Sequence, residues 1–407
     1  MKTSDILVIG GGIIGTAVAY GLSEQGAQVT LLDQGGSTPN ASRGNFGLVW
    51  VQGKGLGMPR YAEWTQEAAN QWPELSAGLL EKSGVSVDYQ QPGGFEVCLG
   101  DEEFSLRQAE MELLRQKSAN SVTSTENFAC EMLDRRNMQA LIPELRLGDT
   151  VSGASFSPLD GHLNPLLFLS SLQAAYKKSG NIHLPEQQVK SIFFRNNCFE
   201  VQTKTDSYST KKVVLACGLG ISKLARQIGL EIPIRPQRGQ ILVTERTRPM
   251  LAQPFVTIRQ TVEGSFMIGA SHEEVGMDSG TTTHEIRRLA QHAVQVFPQL
   301  SGLQLVRCWG ALRILTPDTK PVYEESESCP GGFVVTSHSG ITLAPLYAST
   351  IPSWIIEGKT PEGFEQFHPR EVRCLNLSGT QRVKTLASGL RKCRFPFRKE
   401  KASLPHF

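Results

Sequence analysis

Three glycines near the start of the chain have the spacing that lets a backbone hold a diphosphate. In "DILVIGGGIIGTAVAYGL", residues 5–22, the apolar run Ile6 to Ile9 reads as a short buried strand. Gly10, Gly12 and Gly15 follow as G-x-G-x-x-G, and a helix opens at about Ile14. Gly10 allows the tight turn, Gly12 lets the backbone approach a pyrophosphate, and Gly15 lets the helix close onto the strand. The phosphate charge then faces free N–H groups and the positive end of the helix dipole. A second strand, "AQVTLLD", ends on Asp33, whose carboxylate suits an adenosine ribose hydroxyl and disfavours a 2′-phosphate. Together these features predict a dinucleotide site. A signal peptide or membrane span is a poor alternative, because glycines interrupt the run and Asp5 sits where positive charge is wanted.

The elements that must position this site extend over most of the chain. "STPNASRGNFGLVWVQGKGLG" is a polar, glycine-rich loop after the second strand, and helix signals run from about Arg60 to Lys82. "GGFEVCLG" reads as a strand and "EEFSLRQAEMELLRQKS" as an amphipathic helix. Asn164-Pro165 opens another helix with a cap residue and a first-turn proline. Three strands are expected over 188–218, more strands over about 235–270, and a helix over about 283–297. Near the end, "GGFVVTSHSGITLAPLYASTIPSWII" repeats strand, glycine turn and helix. A simple NAD domain keeps its half-sites close together in sequence. Here the second turn comes far from the first, so one nucleotide domain is assembled from distant pieces around an inserted one. That layout suits FAD.

Composition narrows the remaining choices. With 407 residues, two domains are the natural expectation. Eight cysteines occur without a CxxC pair or a His/Cys cluster of zinc spacing, so no metal or iron–sulfur centre is expected, and the thiols read as reduced cytoplasmic ones. The net charge of +2 hides an asymmetry: from Arg373 onward nine Lys or Arg stand against Glu400 alone. This basic tail, 373–407, reads first as a solvated extension, its charge also suiting an acidic partner or peripheral contact with a membrane surface, while no transmembrane segment and no nucleic-acid binding are expected.

Gly10-x-Gly12-x-x-Gly15, "VVLACG" at 213–218, "PQRGQ" at 236–240, "WGALRILTPDTKPV" at 309–322 and "HSGITLAP" at 338–345 stand in an order that resembles the D-amino-acid oxidase superfamily of FAD-dependent amino-acid and amine oxidoreductases, with glycine and sarcosine oxidases among its members. "GNFGLVWVQGKG" and "IRQTVEGSFMIGASHEEVG" carry a narrower likeness to the flavoprotein subunit of opine oxidases, hydrogen cyanide synthase and D-hydroxyproline or proline dehydrogenases. The resemblance implies an α/β fold: a Rossmann-like FAD-binding domain from 1–85, 150–232 and 306–370, with an α+β, antiparallel-sheet substrate domain from 86–149 and 233–305.

It also implies site residues. Ser42, Arg43, Asn45, Phe46 and Gly47 would run beneath the flavin; Ile14, Gln34, Val189 and Gly310 would join the cofactor site; Ala216 and Gly218 would pass where only small residues fit. Gly340, Ile341 and Thr342 would bring N–H groups to the flavin pyrimidine edge, stabilising negative charge there. His338 would face the flavin. Arg313 would grip a substrate carboxylate, a planar fork orienting it better than lysine, with Arg259 a second candidate. Sarcosine oxidases tether flavin through a cysteine near the Thr-Pro-Asp segment; Ala311, Leu312 and Arg313 stand there, and Cys308 is offset on an expected strand, so non-covalent FAD is implied. The expected chemistry is hydride transfer from the α-carbon of a small amino or imino acid to flavin N5, followed by hydrolysis of the imine. Oxygen is one electron acceptor open to such a flavin; the narrower resemblance implies instead companion subunits carrying iron–sulfur or flavin centres. The alternative is a non-catalytic FAD subunit of an electron-transfer complex.

Overall fold

The structure, a computed structural model, describes residues 2–36, 40–119 and 130–369. The basic tail lies outside the described residues. The central element is a six-stranded sheet in the order Val322–Glu325, Gly332–Thr336, Lys212–Leu215, Ile6–Ile9, Val29–Leu32, Ile182–Leu184, with only the first strand antiparallel. Ile6–Ile9 is buried at every position, as a strand covered on both faces must be. It pairs in register with Val29–Leu32 on one side and Lys212–Leu215 on the other, and the latter also pairs with Gly332–Thr336. The carboxyl ends of three strands distant in sequence therefore lie side by side, which is where ligands bind in open α/β sheets.

Helices Ile13–Glu24, Pro59–Ser83 and Pro165–Lys178 cover one face of this sheet, with Trp64, Trp72, Phe168 and Tyr176 buried among them. Asn164 caps the third helix by accepting from Leu166 N and Leu167 N, at 3.1 and 3.2 Å. On the other face, Val189–Arg195, Cys198–Thr203 and Ser207–Thr210 form an antiparallel layer joined by Lys2–Thr3. The segment read as three strands thus contains four, because Thr210 turns the chain directly into Lys212–Leu215 through its hydroxyl.

A second core is built on a four-stranded antiparallel sheet, Ile258–Gln260, Ser265–Gly269, Arg235–Arg246, Leu305–Leu315. It joins a three-stranded sheet, Gly94–Leu99, Val151–Ser157, Glu131–Asp134, and the helix Thr283–Val296. Phe95, Phe255, Phe266 and Phe297 fill the space between them. Two expected boundaries cut across these sheets. Val151–Ser157 pairs with Gly94–Leu99, and Leu305–Leu315 pairs along ten positions with Arg235–Arg246. Ladder hydrogen bonds therefore group both strands with the inserted segments and not with the sheet that carries the glycine turn. The single helix expected after the second turn is two short ones, Ala344–Ala348 and Thr350–Glu357.

Candidate functional site

At the first glycine turn, Gly10 has φ of 118°, a region L side chains avoid, and a Cβ there would meet the Ala216 carbonyl. A Cβ on Gly15 would collide with the Gly10 carbonyl, so helix and strand approach as closely as backbone allows. Helix Ile13–Glu24 begins at Gly12, and the N–H of its first residue donates to Ser42 Oγ at 2.9 Å. The loop expected beneath the cofactor therefore closes over the helix N-terminus. Asn40 shapes it by accepting from Ser42 N and Arg43 N, Arg43 donates to the Gly36 carbonyl at 2.9 Å, and Asn45 accepts from Gly47 N at 2.8 Å.

The Asp33 carboxylate accepts from Gly11 N at 2.7 Å and Gly35 N at 2.8 Å, fixing it at the end of its strand. Gln34 is exposed beside it. Val189 is half-buried near the same end, where Gln187 N donates to the Asp33 carbonyl at 2.7 Å. Ala216 is buried against the turn, and a Cβ on Gly218 would lie 3.4 Å from Ile314 Cδ1. These groups fit the pyrophosphate and ribose of FAD: a helix N-terminus that opens on Gly12 with Ser42 Oγ at its first N–H, an approach free of Cβ atoms, and a carboxylate held at the end of the neighbouring strand.

The second turn packs directly on the first. A Cβ on Gly340 would lie 3.2 Å from Ile14 Cγ1. Ile341 and Thr342 are buried. Thr342 Oγ1 accepts from Trp50 N at 3.0 Å and its carbonyl accepts from Trp72 Nε1 at 3.1 Å. Tyr61 and Ser339 share a 2.6 Å hydroxyl contact, and Tyr347 donates to Ser337 Oγ at 2.8 Å. Burial pushes the Tyr61 phenol up to about 12, so it stays protonated. Tyr61 and Trp72 are site residues that sequence reasoning missed. Their spacing with Trp64 and Ala68 marks only a buried helix face, and nothing in it says that the polar tips meet a turn near the other end of the chain.

Arg313 stands in the strand Leu305–Leu315 opposite Gln237. Its Nη1 donates to the Ser271 carbonyl at 2.7 Å, and more weakly to Gln237 Oε1 at 3.3 Å and the Arg238 carbonyl at 3.4 Å. A Cβ on Gly239 would lie 2.7 Å from its Nη2. Among the described residues no carboxylate is within ion-pair distance of it. Desolvation lowers its pKa to about 10, with Glu273 opposing. On the same strand, Ala311 and Trp309 contact Gly44, Trp309 Nε1 donating to its carbonyl at 3.3 Å. Gly310 faces the other way: a Cβ there would lie 2.5 Å from the Gly280 carbonyl oxygen. Strand alternation thus turns Gly310 away from loop 40–47.

His338 keeps open surface. Partial desolvation by the surrounding protein, with repulsion from Lys54 and Arg313, holds its imidazole below the usual histidine range, so it is neutral at pH 7. Lys54 and Arg313 thus both act electrostatically on His338. Arg259 lies elsewhere. It is buried in the edge strand Ile258–Gln260, donates from Nε to the Phe46 carbonyl at 2.5 Å and from Nη2 to Met267 Sδ at 2.9 Å, and stacks on the Phe46 ring. A Cβ on Gly47 would lie 2.9 Å from its Nη2. The structure therefore brings Arg313 and His338 together and joins Arg259 to the flavin loop instead.

A Rossmann-like sheet with two converging glycine turns, facing an antiparallel sheet that offers a desolvated guanidinium, defines a flavin-dependent oxidoreductase. Residues 5–351 match the family model described as FAD dependent oxidoreductase, and the chain belongs to that family. It is 37% identical over 370 residues to an opine oxidase subunit of Agrobacterium tumefaciens, covering 91% of this chain and 98% of the relative. It is 25% identical over 367 residues to the hydrogen cyanide synthase subunit HcnC of Pseudomonas aeruginosa, covering 79% and 84%. Glycine oxidase from Bacillus cereus shares the fold, with TM-score 0.79 at 23% identity over 89% of this chain and 97% of that one. The α/β fold, FAD and the oxidoreductase class expected from sequence all stand. Among the described residues no helix is long and apolar enough to cross a membrane.

Proposed function

We propose that this chain oxidises the C–N bond of a small amino or imino acid, glycine, a D-amino acid, a proline derivative or an opine, as the catalytic subunit of a multi-subunit dehydrogenase. The observation that carries this reading is Arg313, a desolvated guanidinium hydrogen-bonded, among the described residues, to neutral acceptors only. A desolvated charge without a counter-ion is unfavourable, and a substrate carboxylate bound across the two η nitrogens would relieve it.

Bound FAD supplies the acceptor for a hydride. The residues of this chain prepare for that transfer. Arg313 fixes the carboxylate and so sets which face of the α-carbon is presented; orientation of this kind replaces the entropy a bimolecular encounter would lose. His338 is neutral, and the charges of Lys54 and Arg313 beside it favour an uncharged amine over an ammonium ion by electrostatic repulsion. The N–H groups of 340–342, held by Thr342 and Ser339 contacts to helix Pro59–Ser83, offer fixed dipoles to negative charge developing beside them. Loss of hydride from Cα and of the amine proton leaves an imine, which water hydrolyses to a keto acid and an amine or ammonia. FAD is held non-covalently, and companion subunits take the electrons onward; two relatives bear the names of subunits of such complexes.

The experiment is Arg313→Lys and Arg313→Ala on the purified, yellow protein, assayed with a panel of amines and an artificial electron acceptor. A catalytic carboxylate site loses substrate affinity while keeping its flavin bands. Unchanged KM in both variants would overturn the assignment.

A further inference from the structure

Asp160 is fully buried in the turn between Val151–Ser157 and the short strand that begins at Gly161. Its Oδ1 accepts from Val51 N at 2.5 Å and its Oδ2 from Gln52 Nε2 at 2.6 Å. Gln52 is fully used in return. Its Nε2 also donates to the Gly94 carbonyl at 2.9 Å, and its Oε1 accepts from Ser155 Oγ at 2.5 Å and Arg107 Nη2 at 3.2 Å. Arg107, itself buried, donates onward to Ser155 Oγ and reaches Glu96 at 2.8 Å and Glu110 at 2.9 Å. The result is a continuous polar chain beneath residues 51 and 52. A Cβ on Gly94 would lie 2.7 Å from the Trp50 ring and 2.8 Å from Asp160 Cβ, so ring and carboxyl are packed together.

What this chain of groups fixes is the backbone on either side. Trp50 N is bound to Thr342 Oγ1 in the second glycine turn. Lys54, whose own N–H donates to the Val51 carbonyl at 3.1 Å, acts electrostatically on His338. A carboxylate buried this completely is unfavourable unless its lone pairs are met, and here they are met by the loop whose Trp50 N–H is bound to the second glycine turn.

We propose that Asp160 is a positioning residue: through Val51 and Gln52 it holds loop 50–54 against the substrate recess and so sets substrate affinity without touching substrate or cofactor. The proposal rests on the functional reading above. Asp160→Asn keeps size and one acceptor but aims an NH2 group at the Gln52 NH2 group. Gln52 must then turn over, and its oxygen leaves Ser155 and Arg107. Asp160→Asn combined with Gln52→Glu restores an acceptor opposite the introduced amide and leaves one for Ser155 and Arg107.

The test uses the flavin-loaded full chain with the amine that gives the highest rate in the panel above. Asp160→Asn is expected to raise KM about tenfold, the scale of a sub-ångström misplacement, with kcat and FAD content within about twofold. Amide exchange over 50–54 should quicken, and the double variant should recover most of the KM. Quicker exchange with unchanged KM overturns the proposal, as does a KM effect that tracks loss of FAD. Should Asp160→Asn fail to fold, Gln52→Leu breaks the same chain of groups and must shift KM alone. If Arg313→Ala leaves KM unchanged while Asp160→Asn raises it, the carboxylate-site reading fails and the positioning role stands.

Discussion

Gly340 rests against Ile14, so that the second glycine turn and the first turn of the amino-terminal helix form one surface. This contact joins the two glycine turns. Gly340→Val is expected to push Ile14 out of place, an overpacking effect of about 1–3 kcal/mol. FAD affinity should fall by about tenfold or more, since about 1.4 kcal/mol is a factor of ten. Fluorescence titration of the apoprotein with FAD checks it; unchanged affinity would separate the two turns functionally.

Arg313 and Arg259 should behave differently when replaced. Arg313→Met removes a charge-assisted interaction of about 1.5–3 kcal/mol, raising KM by about 10- to 100-fold with little change in bound FAD. Steady-state kinetics alongside the visible flavin absorption is the measurement.

Arg259→Met removes the donor to the Phe46 carbonyl and the stack on its ring. A hydrogen bond from a charged donor contributes about 1.5–3 kcal/mol, so FAD affinity should drop by about tenfold or more while KM stays near its original value. If KM rises as it does for Arg313→Met, the edge-strand arginine is also a substrate ligand.

The pH dependence of stability has a definite sign. Burial, aided by Arg259, lowers His162 to about 3, and burial, aided by Arg288, lowers His292 to about 4, both from 6.5. As pH falls below 6.5 the unfolded chain takes up these protons before the folded one does, so stability decreases from about pH 6.5 down to about pH 4. Asp160, raised by burial to about 7, acts in the opposite direction: the unfolded chain releases its proton first as pH rises from 3.8. The histidine contribution is therefore best read as the difference between the protein and His292→Gln, which keeps a polar contact to Thr257. The urea midpoint should fall less between about pH 7 and pH 5 in the variant.

Local features were legible in the sequence and long-range ones were not. Gly10, Gly12 and Gly15 announce strand, turn and helix because steric demands of the backbone act over a few residues. Asn164-Pro165 announces its helix for the same reason. Thr342 could be placed at a turn, yet its bonds to Trp50 and Trp72 depend on how helix Pro59–Ser83 crosses the sheet. Asp160 gave no signal at all: a lone acidic residue before a glycine reads as a surface turn, and only the arrival of Val51, Gln52 and Arg107 from elsewhere in the chain buries it. Gly310 and Arg259 show the limit of likeness by motif. Each sits in a segment of the right kind, but strand alternation and sheet order decide which side of the sheet, and which end, it serves.

The strand order has a consequence for synthesis. Ile6–Ile9 emerges first from the ribosome and finds Val29–Leu32 within moments, but its other neighbour, Lys212–Leu215, is translated much later, and Gly332–Thr336 later still. Throughout that interval the nascent polypeptide carries an apolar strand with one side unmatched, a template for misassociation with neighbouring chains. On the site proposed above, FAD capture waits until Thr342 has left the tunnel, so riboflavin shortage should act on finished chains awaiting their ligand, and carboxyl-terminal truncations before that residue should yield colourless, aggregation-prone fragments.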